Sequence, residues 1–262
     1  MNKFTRRTVI AAACAAAAMT FAPMSFAQQA PEKKDVTIAV GGKSLYYYLP
    51  LSIAEQLGYF KDEGLNVKIV DFQGGSRSLQ AVVGGSADVV SGAFEHTISM
   101  QAKKQPMTAF VLQGRAPQLA LVVSNKTMKD YKQLSDLKGK KVGVTAPGSS
   151  SQMVANFILK KGGLGPKDVA FIGVGSSSGA VSAIRSGQID ALINLDPVIT
   201  ILLKNGDAKL VADTRKVKES ESFFGGTMPA GCLYAPVSFV EKNPKTVQAL
   251  TNACLLYTSP SP

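Results

Sequence analysis

The sequence has few of the residues that build disulfide frameworks, metal centres and membrane spans. It holds three cysteines and one histidine, and Cys14 lies in a leader-like N-terminus, so only Cys232 and Cys254 remain beside His96. Two thiols and one imidazole exclude a disulfide scaffold and the usual zinc site. No segment after residue 27 reaches about 18 consecutive apolar residues, which predicts a soluble mature chain.

The charge balance also narrows the classes of partner. The net charge of +11 comes from 29 Lys and Arg against 18 Asp and Glu. The lysines are scattered in pairs that are typical of solvated helix ends and turns. A basic stripe interleaved with aromatic residues is missing, which argues against a nucleic-acid partner. The charge therefore supports only a modest attraction for anionic ligands or lipid head groups.

The N-terminus predicts a signal peptide over residues 1–27. Cations at Lys3, Arg6 and Arg7 precede an apolar stretch that ends at the small-x-small cleavage signal Ser25-Phe26-Ala27. The arginine pair is similar to a twin-arginine export signal but lacks the usual downstream Lys, so twin-arginine and Sec export both stay open. We expect export to the periplasm and cleavage after the last residue of that signal.

A Gly- and Ser-rich turn between a predicted strand and a predicted helix is a first indication of a ligand site. Val142 to Val144 is typical of a buried strand, Pro147 to Gln152 of a tight turn, and the following helix ends at Gly162. Such a turn aims the first free N–H groups of the helix and its positive dipole end at one point, which suits an anion or a polar oxygen. Ser is also simply a good N-cap, so the turn alone is a weak signal.

The pattern occurs twice in the chain. Residues 72–92 align without gaps on residues 174–194, so that Asp88 meets Asp190. Both copies alternate strands with helices, which predicts an α/β fold of two similar lobes, each a mostly parallel sheet flanked by helices. Ligands of open α/β sheets bind outside the carboxyl ends of the strands, where all the Gly/Ser turns fall. We therefore expect a site in the cleft between two lobes.

With these turns placed, the chain resembles a known family. The phrase A-x-x-x-G-Y-F-K-x-E-G-L-x-V over Ala54 to Val67, the Gly-x-x-Asp strand entries and LKGKKVGVTAPGSSS over Leu137 to Ser151 are similar to solute-binding proteins of bacterial ABC importers. The nitrate/sulfonate/taurine branch, which shares its fold with thiamine-pyrimidine synthases, is most similar, over roughly residues 35–250. The resemblance implies a type II periplasmic-binding-protein fold whose two hinge crossings lie near Ser124 and near Gly226 to Pro236.

The resemblance also implies a function and a set of partners. A small polar or anionic organic solute, sulfonate, taurine-like or heterocyclic, is captured by hinge closure and delivered to an inner-membrane permease and its ATPase. The binding protein is expected to be a monomer without cofactor or metal. The expected segments are a signal peptide (1–27), a linker (28–34), lobe 1 (35–124), lobe 2 (125–228), the second crossing with the start of truncated C-terminal helices (229–253) and a non-native tail (254–262).

Ligand positions carried over from the family lie in the turns after the strands. In the first lobe they are Gly42, Lys43, Ser44, Tyr47, Gly74, Gly75, Ser76, Phe94, Glu95 and His96. In the second lobe they are Ser149, Ser150, Ser151, Gln152, Gly175, Ser176 and Asp196.

Glu95 departs from what an inorganic-anion site needs. An unpaired buried carboxylate beside an anion costs several kcal/mol, so Glu95 either faces an amine or ring N–H of the ligand or is paired with Lys43 or Arg77. His96 is either a ligand contact or a hydrogen-bonded structural residue. Asp88 and Asp190 are expected to hold the strand starts rather than to contact ligand.

An enzyme is the alternative function. The chain has no G-x-S-x-G elbow to turn a Ser, His96 and an Asp into a nucleophilic set. The thiamine-pyrimidine synthases that the fold resembles carry a Cys-rich segment that this chain lacks. We therefore expect a binding protein, with an enzyme related to thiamine-pyrimidine biosynthesis as the alternative.

Overall fold

The structure is a computed structural model that describes residues 30–256. The expected signal peptide with its cleavage site, and residues 257–262 of the expected tail, lie outside the described residues. Among the helices of the described part, none is long and apolar enough to cross a membrane.

The described chain alternates strands and helices. The strands are Asp35–Val40 (β1), Asn66–Asp71 (β2), Val89–Ala93 (β3), Met107–Leu112 (β4), Ala120–Ser124 (β5), Lys141–Val144 (β6), Ala170–Gly173 (β7), Ala191–Asn194 (β8), Ala208–Asp213 (β9) and Gly231–Pro236 (β10). The α-helices are Leu49–Gln56 (α1), Tyr59–Asp62 (α2), Gly75–Val83 (α3), Glu95–Ala102 (α4), Ser150–Lys161 (α5), Ser178–Ser186 (α6), Val198–Lys204 (α7), Val217–Phe224 (α8), Val237–Lys242 (α9) and Pro244–Leu255 (α10).

The strands form two five-stranded sheets with the same topology. The first sheet has the order β2-β1-β3-β10-β4 and the second the order β7-β6-β8-β5-β9. The first three strands of each sheet are parallel, and the fourth strand is antiparallel to both of its neighbours. That fourth strand follows elements of the other lobe in the chain, so the lobes exchange strands. The expected two-lobed α/β fold is confirmed.

Strand β5 lies in the second sheet, although the sequence placed residues 35–124 in the first lobe. It pairs with β8 and β9, with Val123 opposite Ala191. All five of its residues are buried, so either sheet offers it a suitable apolar position and composition alone does not decide between them. The first crossing is therefore residues 113–119, ahead of β5 rather than at Ser124, and the second is residues 225–230.

The repeated aspartates make the same contact in both lobes. Asp88 Oδ2 accepts a hydrogen bond from the Thr37 N–H at 2.9 Å, and Asp190 Oδ2 accepts one from the Lys141 N–H at 3.0 Å. Each carboxylate thereby fastens the strand that it enters to the neighbouring strand. The expectation that both aspartates hold strand starts is confirmed.

The C-terminal helix α10 is fastened to the first lobe. Glu32 accepts hydrogen bonds from the backbone N–H groups of Lys245 and Thr246, both at 3.0 Å, which satisfies free donors of the first helical turn. The helix continues to Leu255 and buries Cys254. Cys254, the first residue of the expected non-native tail, therefore belongs to α10 and falls on the same face as Leu250, one turn earlier.

Candidate functional site

The turns at the carboxyl ends of the two sheets touch across the cleft. The Ser76 N–H donates to Ser149 Oγ at 3.0 Å, and the Ser76 hydroxyl donates to the Pro147 carbonyl at 2.9 Å. At a second point the Tyr46 N–H donates to the Asp196 carbonyl at 3.1 Å. The turn predicted from Pro147 to Gln152 is thus one side of a direct contact between lobes, and the structure is closed.

Two glycines permit this close approach. A Cβ on Gly74 would lie 2.8 Å from the Cβ of Ala146, and a Cβ on Gly42 would overlap the hydroxyl of Ser176. Both glycines also have positive φ, +93° for Gly74 and +112° for Gly42, a conformation that other residues rarely adopt. A side chain at either position would hold the lobes apart.

One part of the cleft is a cavity of about 600 Å³. Its walls come from turns of both lobes and are mostly polar. They include Gly42, Ser44, Gly175 and Ser176 from the predicted set, together with Asp71, Phe72, Gln73, Arg77, Thr145, Ala146, Pro147, Val174, Ser177 and Gln188. Asp71, Gln73 and Arg77 are exposed, so this part of the cleft is hydrated.

A second group of side chains, the hinge-side cluster, lies where the two crossings leave the first sheet. We define it as Tyr47, Glu95, His96, Gln113 and Tyr234. Glu95 and His96 follow β3, Gln113 follows β4, and Tyr234 lies on β10 between those strands. The cluster consists of two groups on the two faces of β10. On one face a Cβ on Gly231 would lie 3.3 Å from the Tyr47 ring and 3.5 Å from the Gln113 Cβ. On the other face Tyr234 is hydrogen-bonded to His96.

Most side chains of the cluster are buried, and Gln113 is half-buried. Glu95 is 7% exposed, His96 4% and Tyr234 not at all. A Cβ on Gly75 would lie 3.0 Å from His96 Cε1, so His96 lies directly behind the turn that makes the Ser76–Ser149 contact. The contact between the lobes therefore lies next to His96.

Burial shifts the acid–base behaviour of the cluster. Burial raises the pKa of Glu95 to about 7, opposed by a hydrogen bond from its own backbone N–H. Burial lowers the pKa of His96 to about 4, opposed by the Gly148 backbone and reinforced by Lys103. Burial, followed by the charge of Glu95, raises the pKa of Tyr47 well above its ordinary value. His96 is therefore neutral at pH 7, and Glu95 is close to its midpoint.

The imidazole of His96 and the amide of Gln113 each form a hydrogen bond through only one of their two polar atoms. His96 Nδ1 is hydrogen-bonded to the Tyr234 hydroxyl at 2.9 Å, and Gln113 Oε1 accepts from the Ser91 hydroxyl at 2.7 Å. The other nitrogen of each side chain, His96 Nε2 and Gln113 Nε2, is buried without a hydrogen-bond partner among the described residues.

The pairing of Glu95 with a lysine or arginine, one of the two interpretations that the sequence left open, is wrong. Lys43 forms an ion pair with Glu55 at 2.7 Å, and Arg77 is exposed on the wall of the 600 Å³ cavity. Glu95 has no ion pair among the residues that the structure describes. The carboxylate is therefore left without a positive partner.

Three of the predicted second-lobe residues are engaged in local structure. Ser151 Oγ accepts from the Thr145 N–H at 3.0 Å, and Gln152 Oε1 accepts from the Gly148 N–H at 2.7 Å, so both hold the turn before α5. The Asp196 carboxylate accepts from the Thr200 N–H at 3.0 Å and pairs with Arg215 at 3.2 Å. Ser150 begins α5 and is half-buried.

The remaining predicted first-lobe residues frame the two regions. The backbone N–H groups of Gly42 and Lys43 donate to Asp71 Oδ1 at 2.7 and 2.9 Å, which fixes the turn after β1. Phe94 is half-buried, packs against the first-lobe core, and its N–H donates to the Ala230 carbonyl at 2.9 Å. Gly42, Lys43 and Phe94 therefore shape the turns, whereas the nitrogen atoms without hydrogen-bond partners belong to His96 and Gln113.

Sequence reasoning missed Gln113 and Tyr234. Gln113 was detectable, because it follows a predicted strand in the same way as the Gly/Ser turns that were singled out. Tyr234 lies inside a strand that enters the first sheet from the far end of the chain, and no local signal marks it. Its place in the cluster follows only from the pairing of β10 with β3 and β4.

The fold and the cleft define a two-lobed α/β protein with a closed inter-lobe site. The chain belongs to the NMT1/THI5-like family, whose model matches residues 46–256.

Two curated relatives show the range of this family. YtlA of Bacillus subtilis (strain 168), which carries the provisional name of a binding protein, is 25% identical over 97% of this chain and 73% of its own length. A 4-amino-5-hydroxymethyl-2-methylpyrimidine phosphate synthase of Schizosaccharomyces pombe is 27% identical over 62% of this chain. The match spans less than half, 45%, of that synthase.

Solved structures have the same architecture. A protein of Bordetella bronchiseptica RB50 is 63% identical, with a TM-score of 0.86 over 87% of this chain and 72% of that one. The alkanesulfonate-binding protein SsuA of Xanthomonas axonopodis pv. citri, bound to MOPS, is 21% identical, with a TM-score of 0.68 over 86% of this chain and 73% of that one. The periplasmic nitrate-binding protein NrtA of Synechocystis PCC 6803 is 18% identical, with a TM-score of 0.70 over 87% and 62%. At these identities, the similarity to SsuA and NrtA shows the fold alone.

Proposed function

We propose that this protein is the extracytoplasmic substrate-binding component of an ABC importer. It captures a small polar or anionic organic solute between its lobes, closes by hinge motion and delivers the solute to a permease and its ATPase. The predicted export signal places it in the periplasm, and it works there as a monomer. Binding stabilises the closed form, because the ligand contacts both lobes only when they have closed.

The observation that carries this proposal is the contact of Ser76 with Ser149 and Pro147. Two lobes that touch through turns, at glycines that leave no room for side chains, are built to close completely. The two crossings, residues 113–119 and 225–230, run together at the first lobe, where the Ala230 N–H donates to the Gly114 carbonyl at 3.0 Å. Paired connections of this kind are suited to a hinge.

A thermal-shift screen of the purified chain tests the proposal. The compounds are alkylsulfonates, taurine, nitrate, pyrimidines and aromatic acids. We expect saturable stabilisation by one of them, accompanied by compaction in small-angle X-ray scattering. Ser149→Ala removes two inter-lobe hydrogen bonds and should weaken the binding about thirtyfold, since each hydrogen bond contributes about 1 kcal/mol. Glu241→Gln, an exposed change outside the cleft, is the control and should bind like the wild type.

A synthase is the second candidate, favoured by the curated relatives that are named as pyrimidine phosphate synthases. The two cysteines among the described residues, Cys232 and Cys254, are both buried. Burial raises their pKa values to about 12, so neither is a ready nucleophile. Measured turnover, without ligand-induced stabilisation or compaction, would favour the synthase and contradict the binding protein.

A further inference from the structure

The cavity of about 600 Å³ lies at the side of the cleft that is away from the hinge. Its walls include the turns after β2 and β7, which are edge strands of their sheets. The crossings, in contrast, follow β4 and precede β10 at the opposite side of the first sheet. When the lobes rotate about the hinge, they separate most at the side of the cavity. A ligand that bridges the lobes here therefore opposes opening strongly.

The helix α6 opens into this cavity with its N-terminal end. Ser176, Ser177 and Gly179 at its start line the cavity. The N-cap residue Ser177 makes no capping hydrogen bond through its side chain, and the first turn holds no acidic residue. The backbone N–H groups of Ser177, Ser178 and Gly179 donate to no acceptor among the described residues. These are the donors that a helix cannot satisfy by itself.

The opposite end of α6 is compensated by a cation. Lys126 Nζ donates to the carbonyls of Arg185 and Ser186, the last residues of the helix, at 3.2 and 3.0 Å. A cation at the C-terminus offsets the negative end of the helix dipole. The positive end has no such partner in the described part of the chain, and it favours an anion.

A buried hydroxyl beside this helix end is a second and independent indication of a ligand. Ser176 is only 6% exposed, and its hydroxyl forms no hydrogen bond with the residues that the structure describes. The hydroxyl faces the gap between the lobes, because a Cβ on Gly42 of the first lobe would overlap it. Both residues line the cavity. Since buried polar groups nearly always have a hydrogen-bond partner, a ligand in the cavity is the partner that fits this position.

The side chains of the cavity wall carry one charge of each sign. Arg77 comes from the first lobe and forms no ion pair among the described residues. Asp71 is the one carboxylate that these residues contribute to the wall, and its Oδ1 already accepts from the N–H groups of Gly42 and Lys43 at 2.7 and 2.9 Å. The dipole of α6 adds about half a positive charge. This balance suits a single negative charge and disfavours a dianion beside Asp71.

We propose that the cavity binds a singly charged oxyanion of the solute, a carboxylate or a sulfonate. The oxyanion accepts hydrogen bonds from the Ser176 hydroxyl and from the free N–H groups of α6 in the second lobe. The Arg77 guanidinium pairs with it from the first lobe, so that the oxyanion bridges the lobes away from the hinge. The inference rests on the proposed binding function and adds the charged group of the solute and the residues that hold it.

Matched pairs of an anion and its neutral amide test the charge by calorimetry on the full chain. The pairs are ethanesulfonate with ethanesulfonamide and propionate with propionamide, and sulfate is the dianion. The buffer is Tris-chloride, because sulfonate buffers would compete for the site. We expect the anion of at least one pair to bind about tenfold more tightly than its amide and than sulfate.

Ser177→Asp separates binding from folding. The new carboxylate caps α6 and compensates its dipole, so thermal unfolding should show a protein at least as stable as the wild type. The same charge should lower the affinity for the preferred anion about tenfold or more. Arg77→Gln and Ser176→Ala should each lower it about fivefold. The matched controls Lys68→Gln and Ser178→Ala change exposed residues outside the cavity wall and should bind like the wild type.

The contrary outcomes distinguish this inference from the proposed function. Equal binding within both pairs, tightest binding of sulfate, or an unchanged affinity in Ser177→Asp and Arg77→Gln overturns the inference but leaves a binding protein. A small molecule that co-purifies in native mass spectrometry should carry a carboxylate or a sulfonate and be lost from Ser177→Asp, and either failure overturns the inference alone. No binding by any compound, with no co-purifying molecule, contradicts both proposals.

Discussion

The 600 Å³ cavity between the lobes and the hinge-side cluster at the end of the first sheet hold their polar side chains in opposite environments. In the cavity Asp71, Gln73 and Arg77 are exposed, so water satisfies what the protein does not. In the cluster Glu95 and His96 are buried, and His96 Nε2 makes no hydrogen bond among the described residues. Polar groups that are already hydrated discriminate weakly between ligands, whereas an unpaired buried group penalises every ligand that fails to match it. The two regions therefore differ in how their polar groups are satisfied.

The largest effect is expected from a variant whose lobes cannot close. Opening the lobes would hydrate the hinge-side cluster as well as the cavity, so that the two regions no longer differ. In Gly74→Ala the new Cβ meets Ala146 at 2.8 Å, an overlap that we expect to cost about 2–3 kcal/mol and so to lower the ratio of closed to open protein about 100-fold. Small-angle scattering should show a larger radius of gyration than in the wild type. Gly58→Ala is the matched control, because Gly58 also has positive φ (+81°) but nothing within 4 Å of a Cβ. An equal expansion in that control would contradict the interpretation.

Glu95→Gln removes the ionisable group of Glu95 and so tests whether this part of the molecule is buried and unpaired. The pKa of Glu95 is about 7 in the folded protein against an ordinary value of 4.5, so folded Glu95 binds a proton that the unfolded chain has lost. The contribution of Glu95 ionisation to the free energy of unfolding is close to zero below pH 4.5. It becomes destabilising as the pH rises and is constant above about pH 7. The stability of Glu95→Gln relative to the wild type should therefore grow by about 3 kcal/mol across this window.

Urea unfolding at a series of pH values measures this difference. His96 contributes the opposite slope, because its lowered pKa removes stability as the pH falls from about 6.5 to about 4. Since His96 is common to both proteins, it cancels in the difference. A difference that does not change with pH would show that Glu95 has a partner or is hydrated.

The smallest effect is expected when one glutamine of each region is replaced by alanine. Gln113→Ala leaves the Ser91 hydroxyl without its acceptor, which we expect to cost about 1–2 kcal/mol of unfolding free energy. Gln73→Ala changes an exposed side chain of the cavity wall and should stay within about 0.5 kcal/mol. Chemical denaturation of the two variants at pH 7 gives both values. Equal costs would remove the distinction between the buried and the hydrated part of the cleft.

The two lobes could be predicted because their signals are local. The repeat that aligns Asp88 with Asp190 corresponds to the same hydrogen bond in both lobes, and Gly42, Gly74 and Ser149 do lie where the lobes meet. Strand β5 could not be placed, because its five buried apolar residues suit either sheet. The sequence also did not show whether Glu95 is paired, since Lys43 forms its ion pair with Glu55 in the same lobe.

What the sequence determined by itself is the pattern of strands, turns and helices, and with it the Gly- and Ser-rich ends that line a cleft. These features follow from the periodicity and the conformational preferences of neighbouring residues. Only the tertiary structure decided which strand crosses between the lobes, and that His96 and Gln113 each keep a buried nitrogen without a hydrogen-bond partner among the described residues. Burial and long-range strand pairing create the environments of these side chains, and no local pattern records them.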